Sequence, residues 1–477
     1  MIKEQFLQSE KDNRKRVSED SNRLAYHLMA PVGWLNDPNG LCQMNGIHHI
    51  FYQYAPTAPS GNGLKGWGHY STKDYVHFIE EEISLFPDSE MDDGGAYSGS
   101  AFIDPKNELI HFFYTGNGKY PGDYDYINEG RKHWVNHFTS EDGFNFSDKE
   151  TLMKNKDYPS NLSCHVRDPK VLEKDGHYYM VLGSRTRDSK GQVSVFKSDD
   201  LIHWTFASTI QPESKFGYMW ECPDLFELDN KMVLITCPQG IPQQGLRYEN
   251  IYQNGYFFVD PNLDSDQLVN NFTELDHGFD FYASQSYEDE KGRRILIPWM
   301  GIPDADYDND PTVKKGWQHA LGLPRELRLE SGRLIQYPIE ETLNLRIEDS
   351  KKSFVLKAGE IEKLPGSVCE IQVETHNQKP FWIRLRHDVS ISYDGTVVTL
   401  DMGKSGQGRD QRHVYMDELS SISIFSDTSS LEIFLDHGKE AFTTRVYDDQ
   451  KNLKIESNID LDVEVYELQS FIIEKNH

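Results

Sequence analysis

Hydrophobic and polar residues alternate along most of the chain, in short runs that are separated by turn residues. After about the first 25 residues, long stretches with the 3.6-residue spacing of an amphipathic helix are rare. Alternating runs bounded by Gly, Pro, Asn and Asp are typical of β-strands joined by tight turns. The pattern therefore predicts an all-β protein.

Five stretches in the first two-thirds of the chain share one design: an acidic residue, a strand, a polar turn and a second strand. Their acidic residues recur at intervals of roughly 53 to 67 residues and are Asp37, Asp104, Asp168, Glu221 and Asp280. A repeat of this length, with about four strands in each unit, is what a β-propeller produces. We predict a five-bladed β-propeller over residues 24–334, in which the five acids ring one mouth of the central channel. A β-sandwich with long loops is the alternative, but it leaves the regular spacing unexplained.

A second signature lies between these stretches: a hydroxyl residue, then Asp two positions later, then an aromatic residue four further on. It occurs as TKDYVHF, SEDGFNF and SDDLIHW, which begin at Thr72, Ser140 and Ser198. Hydroxyl and carboxylate side chains close tight turns by accepting backbone hydrogen bonds. The signature predicts a structural role, with the aromatic side chain packed beneath a turn, and no catalytic one.

Both ends of the chain depart from the repeat. Residues 1–23 are charged throughout and predict a helical extension without the apolar segment of a secretion signal. Residues 335–353 predict a charged linker. From residue 354 to residue 477 the pattern alternates again, and YDGT at Tyr393 and DHGKE at Asp436 indicate hairpin turns. This last part predicts a C-terminal β-sandwich.

Charge and cysteine content narrow the possible partners. The formal net charge is −28, whereas a nucleic-acid or anionic-membrane partner would require a basic face. No run of about 18 apolar residues is present. The five cysteines are odd in number and form no CxxC pair, which favours reduced thiols in the cytoplasm. We predict a cytoplasmic protein without nucleic-acid or membrane partners, and keep a homodimer as an open hypothesis.

Three of the acidic residues stand in unusual sequence contexts: Asp37 in NDPNG, Asp168 in RDPK and Glu221 in WECPD. Taken singly, each is explained as a carboxylate at a turn or strand end. On strands that converge, however, the three would meet in one site. Hydrolysis of a glycosidic bond needs two carboxyl groups beside the scissile bond, one of them protonated. The sequence therefore predicts a saccharide-hydrolysing site at one mouth of the channel.

The sequence neighbours of these acids suggest a role for each. Glu221 follows Trp220, and because an apolar surround raises the pKa of a carboxyl group, we predict Glu221 as the acid. Asp37 lies in a polar turn, which predicts an ionised nucleophile. Arg167 is expected to pair with Asp168 and keep it charged.

Aromatic and polar residues near these motifs are predicted to contact the substrate, namely Asn36, Gln53, Trp67, Ser98, Arg167, Tyr282 and Trp299. Cys222 has no histidine partner in sequence, so a thiol nucleophile is rejected. The histidines lack the spacing of metal ligands, and we predict neither a metal nor a cofactor.

Seven motifs occur in one order: WLNDPNG, WGHYSTKD, YSGSA, RDP, WECPDLF, FDFYASQ and LPREL. The set resembles the invertase and fructan-hydrolase family of retaining glycoside hydrolases, over about residues 24 to 477. Within that family the chain is most similar to intracellular bacterial members that act on sucrose 6-phosphate. Leu35 and Tyr97 stand where Met and Phe are common in the family, and neither is a reacting group.

This resemblance implies a five-bladed propeller followed by a β-sandwich, and hydrolysis of a terminal β-D-fructofuranoside, either sucrose 6-phosphate or sucrose. It implies Asp37 as the nucleophile, Glu221 as the acid/base and Asp168 as the stabiliser of the transition state. An anionic substrate would need local positive charge, for which the loop residues Lys65, Lys119, Arg185 and Arg187 are candidates. A fructan hydrolase, a plain invertase and a non-catalytic sugar-binding propeller are the alternatives.

Overall fold

Five antiparallel sheets follow one another along the chain, and we refer to them as blades 1 to 5. The computed structural model describes residues 2–375 and 379–476. Helix α1 (Ile2–Ser18) precedes the blades and is attached to blade 1 by an ion pair between Arg14 and Glu80. No helix in these two ranges is long and apolar enough to cross a membrane.

The first three blades each contain four consecutive strands. Blade 1 comprises β1 (Gly33–Met44), β2 (Ile47–Ala55), β3 (Gly66–Thr72) and β4 (His77–Glu80). Blade 2 comprises β5 (Ala96–Asp104), β6 (Leu109–Lys119), β7 (Arg131–Ser140) and β8 (Glu150–Met153). Blade 3 comprises β9 (Leu162–Lys174), β10 (His177–Thr186), β11 (Gly191–Ser198) and β12 (Thr205–Pro212).

The last two blades are less regular. Blade 4 comprises β13 (Met219–Leu228), β14 (Lys231–Gln239), β15 (Gly255–Val259) and β17 (Thr273–Glu274), while β16 (Gln267–Val269) pairs with β12 of blade 3. Blade 5 comprises β18 (Tyr282–Glu288), β19 (Arg294–Met300), β22 (Arg325–Glu330) and β23 (Arg333–Pro338). Between β19 and β22 lie the short helix α2 (Asp310–Val313), β20 (Trp317–Gln318) and β21 (Ala320–Leu321).

The blades form a closed ring. The innermost strands β1, β5, β9, β13 and β18 each lie beside the innermost strands of the two neighbouring blades. After leaving β19, the chain returns to blade 1, where β20 pairs in parallel with β1 and Gly33 lies opposite Trp317. The prediction of a five-bladed propeller is confirmed.

Every innermost strand carries a β-bulge. The pairing register shifts between Leu35 and Pro38 in β1, Ala96 and Gly99 in β5, Arg167 and Lys170 in β9, Glu221 and Asp224 in β13, and Tyr282 and Gln285 in β18. A bulge adds a residue to one strand and redirects the side chains beside it. Asp168, Cys222 and Ala283 in these bulges have φ values of 64°, 47° and 48°. The five bulges lie around the same mouth of the channel and direct side chains into it.

The hydroxyl–Asp signature closes the turn after the third strand of blades 1 to 3. Thr72 Oγ1 accepts a hydrogen bond from the backbone N–H of Tyr75 at 2.9 Å, and Asp74 Oδ1 accepts one from His77 at 2.8 Å. Equivalent contacts recur at Ser140 with Asp142 and at Ser198 with Asp200. The predicted structural role is confirmed.

Two of the five acidic markers lie away from the mouth that carries Asp37. Asp104 is the last residue of β5, at the opposite end of that strand. Asp280 is buried against the sandwich, where its carboxylate pairs with Arg409 at 2.7 Å. The prediction that all five acids ring one mouth is wrong for these two. Blade 2 begins at the YSGS stretch, so the later IDPK stretch is only the turn between β5 and β6.

The C-terminal domain is a sandwich of two six-stranded sheets around one apolar core. One sheet has the order β24 (Lys352–Leu356), β35 (Leu461–Glu467), β26 (Cys369–Glu374), β31 (Ser421–Ser426), β32 (Ser430–Leu435) and β33 (Glu440–Arg445). The other has the order β25 (Ile361–Lys363), β34 (Lys454–Ser457), β27 (Phe381–Arg386), β28 (Val389–Tyr393), β29 (Val397–Asp401) and β30 (Gln411–Tyr415). Both predicted hairpins are present, between β28 and β29 and between β32 and β33.

The domain ends differ in detail from the sequence-based ranges. Strand β23 continues to Pro338, inside the predicted linker 335–353, and 3₁₀ turns at Glu340–Leu345 and Glu348–Ser350 follow it. The final strand β36 (Ile472–Lys475) leaves the sandwich and pairs in parallel with β4 of blade 1. Residues 472–475 therefore lie on the propeller, outside the sandwich that the predicted range 354–477 assigns to them. Further 3₁₀ turns occur at Asn155–Asp157, Gly403–Gly406 and Asp436–Gly438.

Candidate active site

A cavity of about 480 Å³ opens at the bulged mouth of the channel. All three predicted catalytic acids line it: Asp37 from β1, Asp168 from β9 and Glu221 from β13. Six of the predicted substrate contacts line it as well, namely Asn36, Gln53, Ser98, Arg167, Tyr282 and Trp299. Residues from all five blades and a span of over two hundred positions thus share one cavity.

Asp37 is held by a relay of side-chain hydrogen bonds from blades 1 and 2. Trp34 Nε1 donates to Asn36 Oδ1 at 2.7 Å, and Asn36 Nδ2 donates to Asp37 Oδ1 at 2.9 Å. The Ser98 hydroxyl donates to Asp37 Oδ2. Gln53 connects these two donors, because it accepts from Asn36 at 2.8 Å and donates to Ser98 Oγ at 2.5 Å. Both oxygens of Asp37 are therefore fixed before any substrate binds.

Asp168 lies beneath the cavity in the bulge of β9. Its Oδ2 accepts a hydrogen bond from the backbone N–H of Cys222 at 2.9 Å. The Cys222 thiol lies between two carboxylates, 3.6 Å from Asp37 Oδ2 and 3.7 Å from Asp168 Oδ2. The positive φ of Cys222 gives its N–H and its side chain this common direction. The bulge of blade 4 therefore links the acids of blades 1 and 3.

Glu221 is surrounded by polar donors. Its Oε1 accepts hydrogen bonds from the guanidinium of Arg167, and its Oε2 accepts from Gln239 Nε2 at 2.8 Å and from the Tyr282 hydroxyl at 2.7 Å. Arg167 lies 3.9 Å from Asp168 Oδ2, so its main partner is Glu221. The predicted pairing of Arg167 with Asp168 is corrected accordingly.

The predicted apolar surround of Glu221 is also wrong. Trp220 precedes Glu221 on a β-strand, and consecutive strand residues point to opposite faces. The indole of Trp220 is buried between blades 3 and 4 and stacks on Phe257, with ring centroids 5.1 Å apart. Adjacency in sequence was therefore misleading about adjacency in space.

Burial changes the acidity of the other two carboxyl groups. It raises the pKa of Asp37 above its ordinary value, although the hydrogen bonds from Ser98 and Asn36 act in the opposite direction. Burial raises the pKa of Asp168 to about 7, opposed by Arg167 and reinforced by the negative charge of Glu221. Asp168 is therefore still partly protonated near neutral pH. For Asp37, burial works against the predicted ionised state, whereas the hydrogen bonds from Ser98 and Asn36 favour it.

The structure places one predicted substrate contact outside the cavity wall. Trp67 is fully buried in the core between blades 1 and 2, and its Nε1 donates to the backbone carbonyl of Tyr97 at 3.0 Å. Tyr97, not Trp67, lines the cavity. The role of Trp67 is corrected to packing beneath the residue that faces the cavity.

Sequence reasoning missed several residues of the cavity wall, including Arg131, His133, His165 and Asp304. A usable signal existed for three of them. His165 lies two positions before Arg167 in β9, and Arg131 lies two before His133 in β7, so strand alternation puts each pair on one face. No comparable signal existed for Asp304, which is in a loop after β19.

A propeller whose channel mouth gathers three hydrogen-bonded carboxyl groups, with aromatic and polar side chains around them, is the site of a glycoside hydrolase. Comparison with known families shows which family of glycoside hydrolases it is. Residues 27–338 match the N-terminal domain and residues 341–469 the C-terminal domain of glycosyl hydrolases family 32. The chain belongs to this family.

Individual relatives agree with this assignment. The chain is 39% identical to a sucrose-6-phosphate hydrolase of Bacillus subtilis over 444 residues, 90% of each protein. The structure of a sucrose-6-phosphate hydrolase from Lactobacillus gasseri is similar, with a TM-score of 0.87, 28% identity and coverage of 98% of this chain and 97% of that one. A family 32 β-fructofuranosidase from Bombyx mori, solved in a variant form with sucrose, has a TM-score of 0.86, 28% identity and coverage of 99% and 98%.

Proposed function

We propose that this glycoside hydrolase cleaves terminal β-D-fructofuranosides, with sucrose 6-phosphate as its substrate and sucrose as a poorer one. The observation that carries the proposal is the convergence of Asp37, Asp168 and Glu221 on one cavity of saccharide size. The names of the relatives support the choice of sugar. A non-catalytic sugar-binding propeller would have no need of three acids in one cavity, two of them with raised pKa values.

In the first step, Asp37 attacks the anomeric carbon C2 of the fructosyl unit. The bond from C2 to the glycosidic oxygen breaks, and Glu221 gives its proton to that oxygen, which leaves with the glucosyl unit. The product is an ester between C2 and Asp37. Ser98 and Asn36 fix the attacking carboxylate, which lowers the entropic cost of reaching the reactive geometry.

In the second step, Glu221 removes a proton from water, whose oxygen forms a bond to C2 while the ester bond to Asp37 breaks. Fructose is released with its configuration retained, and Glu221 carries a proton again. Asp168 lies close to Asp37 through the shared Cys222 contact, so its carboxylate stabilises the positive charge that develops on the ring in both steps.

The contacts of Glu221 suit both of its roles. Its Oε1 accepts from the Arg167 guanidinium, and its Oε2 accepts from Gln239 and Tyr282. Both oxygens are thus held in position while Glu221 gives a proton in the first step and takes one in the second.

The stereochemical outcome tests this mechanism. Turnover of sucrose in water–methanol mixtures, followed by NMR from the first minutes, is expected to give methyl β-D-fructofuranoside, because methanol replaces water in the second step. Formation of the α-anomer would mean a single displacement and would remove Asp37 as the nucleophile. The absence of turnover of both disaccharides would refute the proposed function altogether.

We also infer a cytoplasmic site of action. All five cysteines are free and buried, as expected for a protein that folds in a reducing compartment. Homodimerisation stays a prediction, and light scattering coupled to size-exclusion chromatography tests it.

A further inference from the structure

The cavity wall beyond Glu221 is positively charged, and this is the side where the leaving group must lie. Glu221 donates its proton to the leaving oxygen in the proposed mechanism, so the leaving sugar occupies the space next to it. Arg167 contacts Glu221 and also donates through Nη1 to His165 Nδ1 at 2.9 Å. His165 is thus the next residue along this wall.

His165 is a neutral hydrogen-bond donor. Burial, followed by the positive charges of Arg167, Arg131, Arg185 and Lys119, lowers its pKa to about 2. Its Nδ1 accepts from Arg167, so the single ring proton is on Nε2. Four cations thus act on His165. Arg131 and Arg167 line the cavity, Arg185 and Lys119 lie outside its lining, and we call the four together the cationic wall.

Arg131 is the member of this wall that lines the cavity without a negatively charged partner. Its Nε donates to the backbone carbonyl of Tyr126 at 3.2 Å, and its Nη1 donates to Asn117 Oδ1 at 2.9 Å, so both acceptors are uncharged. Within residues 2–375 and 379–476, its Nη2 makes no hydrogen bond, and no carboxylate forms an ion pair with Arg131, Arg185 or Lys119. An arginine in the cavity wall whose hydrogen-bond acceptors are uncharged is unexpected in a protein with a net charge of −28.

We propose that Arg131 and His165 bind a phosphate group on the leaving sugar, and that this contact sets the preference for a phosphorylated disaccharide. In sucrose 6-phosphate the phosphate is on the glucosyl unit, which is the unit that leaves. The free edge of the Arg131 guanidinium and the Nε2–H of His165 are suitable donors for phosphate oxygens, while Arg185 and Lys119 add positive potential. The inference rests on the proposed function and assigns residues to its substrate choice.

His133 completes the neighbourhood of this site. It is buried between Arg131 and His165, its Nε2 contacts Asn117 Oδ1 at 3.2 Å, and its Nδ1 has no hydrogen-bond partner in the described part of the chain. The ring of His133 thus borders the cavity, while its Nδ1 is buried away from the cavity surface.

Lys65, which also lines the cavity, is the competing phosphate ligand. It donates to the backbone carbonyl of Gly61 at 2.9 Å, and its charge interacts with Asp37, which places it near the fructosyl unit. A phosphate on the glucosyl unit is therefore expected to contact Arg131 rather than Lys65. Separate mutations of Lys65 and Arg131 distinguish these two candidate phosphate ligands.

The test compares kcat/KM for sucrose 6-phosphate and for sucrose in the wild type, Arg131→Gln, Lys65→Gln and the control Arg328→Gln. Arg328 is an exposed arginine on β22, outside the cavity. We expect the ratio of the two kcat/KM values to fall about 10- to 100-fold in Arg131→Gln, because one charge-assisted contact is lost. The ratio is expected to stay at the wild-type value in Arg328→Gln and in Lys65→Gln.

An unchanged ratio in Arg131→Gln, or a fall confined to Lys65→Gln, overturns the proposal while leaving the hydrolase function intact. Lys119→Gln serves as a second variant, since Lys119 is exposed and its replacement leaves the core untouched. A ratio reduced about two- to threefold is expected there, together with a weaker salt dependence of KM for sucrose 6-phosphate. Inorganic phosphate is expected to inhibit sucrose hydrolysis competitively, with an inhibition constant at least tenfold higher in Arg131→Gln; equal constants would contradict the site.

Discussion

The active-site cavity and the interface between the propeller and the sandwich both contain several carboxylates, but the two regions differ in the cations that accompany them. At the interface each acid has a cationic partner: Asp280 pairs with Arg409, and Glu432 pairs with Arg325. His27 lies between two acids, with its Nδ1 2.8 Å from Asp427 Oδ2 and its Nε2 2.9 Å from Glu432 Oε1. In the cavity, Arg167 pairs with Glu221 and lies 3.9 Å from Asp168, and the charge of Lys65 acts on Asp37.

The pKa values follow this difference. Burial alone would raise the pKa of Asp280, Asp427 and Glu432, but their cationic partners lower all three below the ordinary values. Burial raises the pKa of Asp37 and of Asp168, and neither the hydrogen bonds to Asp37 nor the charge of Arg167 beside Asp168 offsets it. Paired acids join the two domains, whereas Asp37 and Asp168 are kept where the reaction takes place and have raised pKa values there.

The largest expected effect is on turnover. Asp37→Asn is expected to reduce kcat by at least about 10⁴-fold, because an amide cannot form the ester intermediate. Stopped assays of fructose release measure the loss, and circular dichroism checks that the variant is folded. Turnover near the wild-type rate would place the nucleophile elsewhere.

Breaking an ion pair at the interface is expected to lower the stability of the protein instead. Arg409→Met leaves the buried Asp280 without its partner, which is expected to lower the free energy of unfolding by about 3–5 kcal/mol. Denaturant titration measures this change. The double variant Asp280→Asn with Arg409→Met is the matched control and should recover part of the loss. A fully stable Arg409→Met protein would mean that the pair does not hold the domains together.

Replacing Asp168 in the cavity is expected to stabilise the folded protein instead. Because the folded-state pKa of Asp168 is raised to about 7, its ionised form destabilises the folded state, and this penalty grows as pH rises from about 4 to 7. Asp168→Asn is expected to raise Tm by about 2–4 °C at neutral pH while turnover is lost. The gain should vanish near pH 4, below the ordinary carboxyl pKa. A variant less stable than the wild type at neutral pH would contradict the comparison.

A smaller effect is expected from His27 at the interface. Its folded-state pKa is raised to about 9, since Asp427 and Glu432 outweigh the effect of burial. Its contribution to stability is therefore complete below pH 6.5 and is lost as pH rises through about 9. We expect the Tm of the wild type to fall about 1–2 °C more over this range than that of His27→Gln. Parallel pH profiles would remove His27 from the account.

The fold and the catalytic acids could be predicted from sequence patterns, because both depend on local chemistry that recurs along the chain. The Asp–Pro and Cys–Pro pairs at Asp37, Asp168 and Cys222 mark bulges, where proline is tolerated in a strand. The same logic failed at Asp104, whose Asp–Pro pair belongs to a turn. It also failed at Asp280, whose partner Arg409 is more than a hundred residues away.

The environment of each acid was not predictable in the same way. Which cation accompanies Glu221 depends on the side-chain path of Arg167 across two blades, and the burial of Trp67 depends on how blades 1 and 2 pack. The cationic wall combines residues of blades 2 and 3 that no sequence motif unites. Such features follow from the closure of the ring, which brings distant strands into contact.

The central claim is that Asp37 becomes esterified to the fructosyl unit. Its most direct test uses Glu221→Gln with β-D-fructofuranosyl fluoride, whose leaving group needs no proton, so that the first step proceeds and the second is slow. Peptide mapping by mass spectrometry should then find one fructosyl unit on the peptide that contains Asp37. A modified peptide elsewhere, or inverted product without any adduct, would contradict the account.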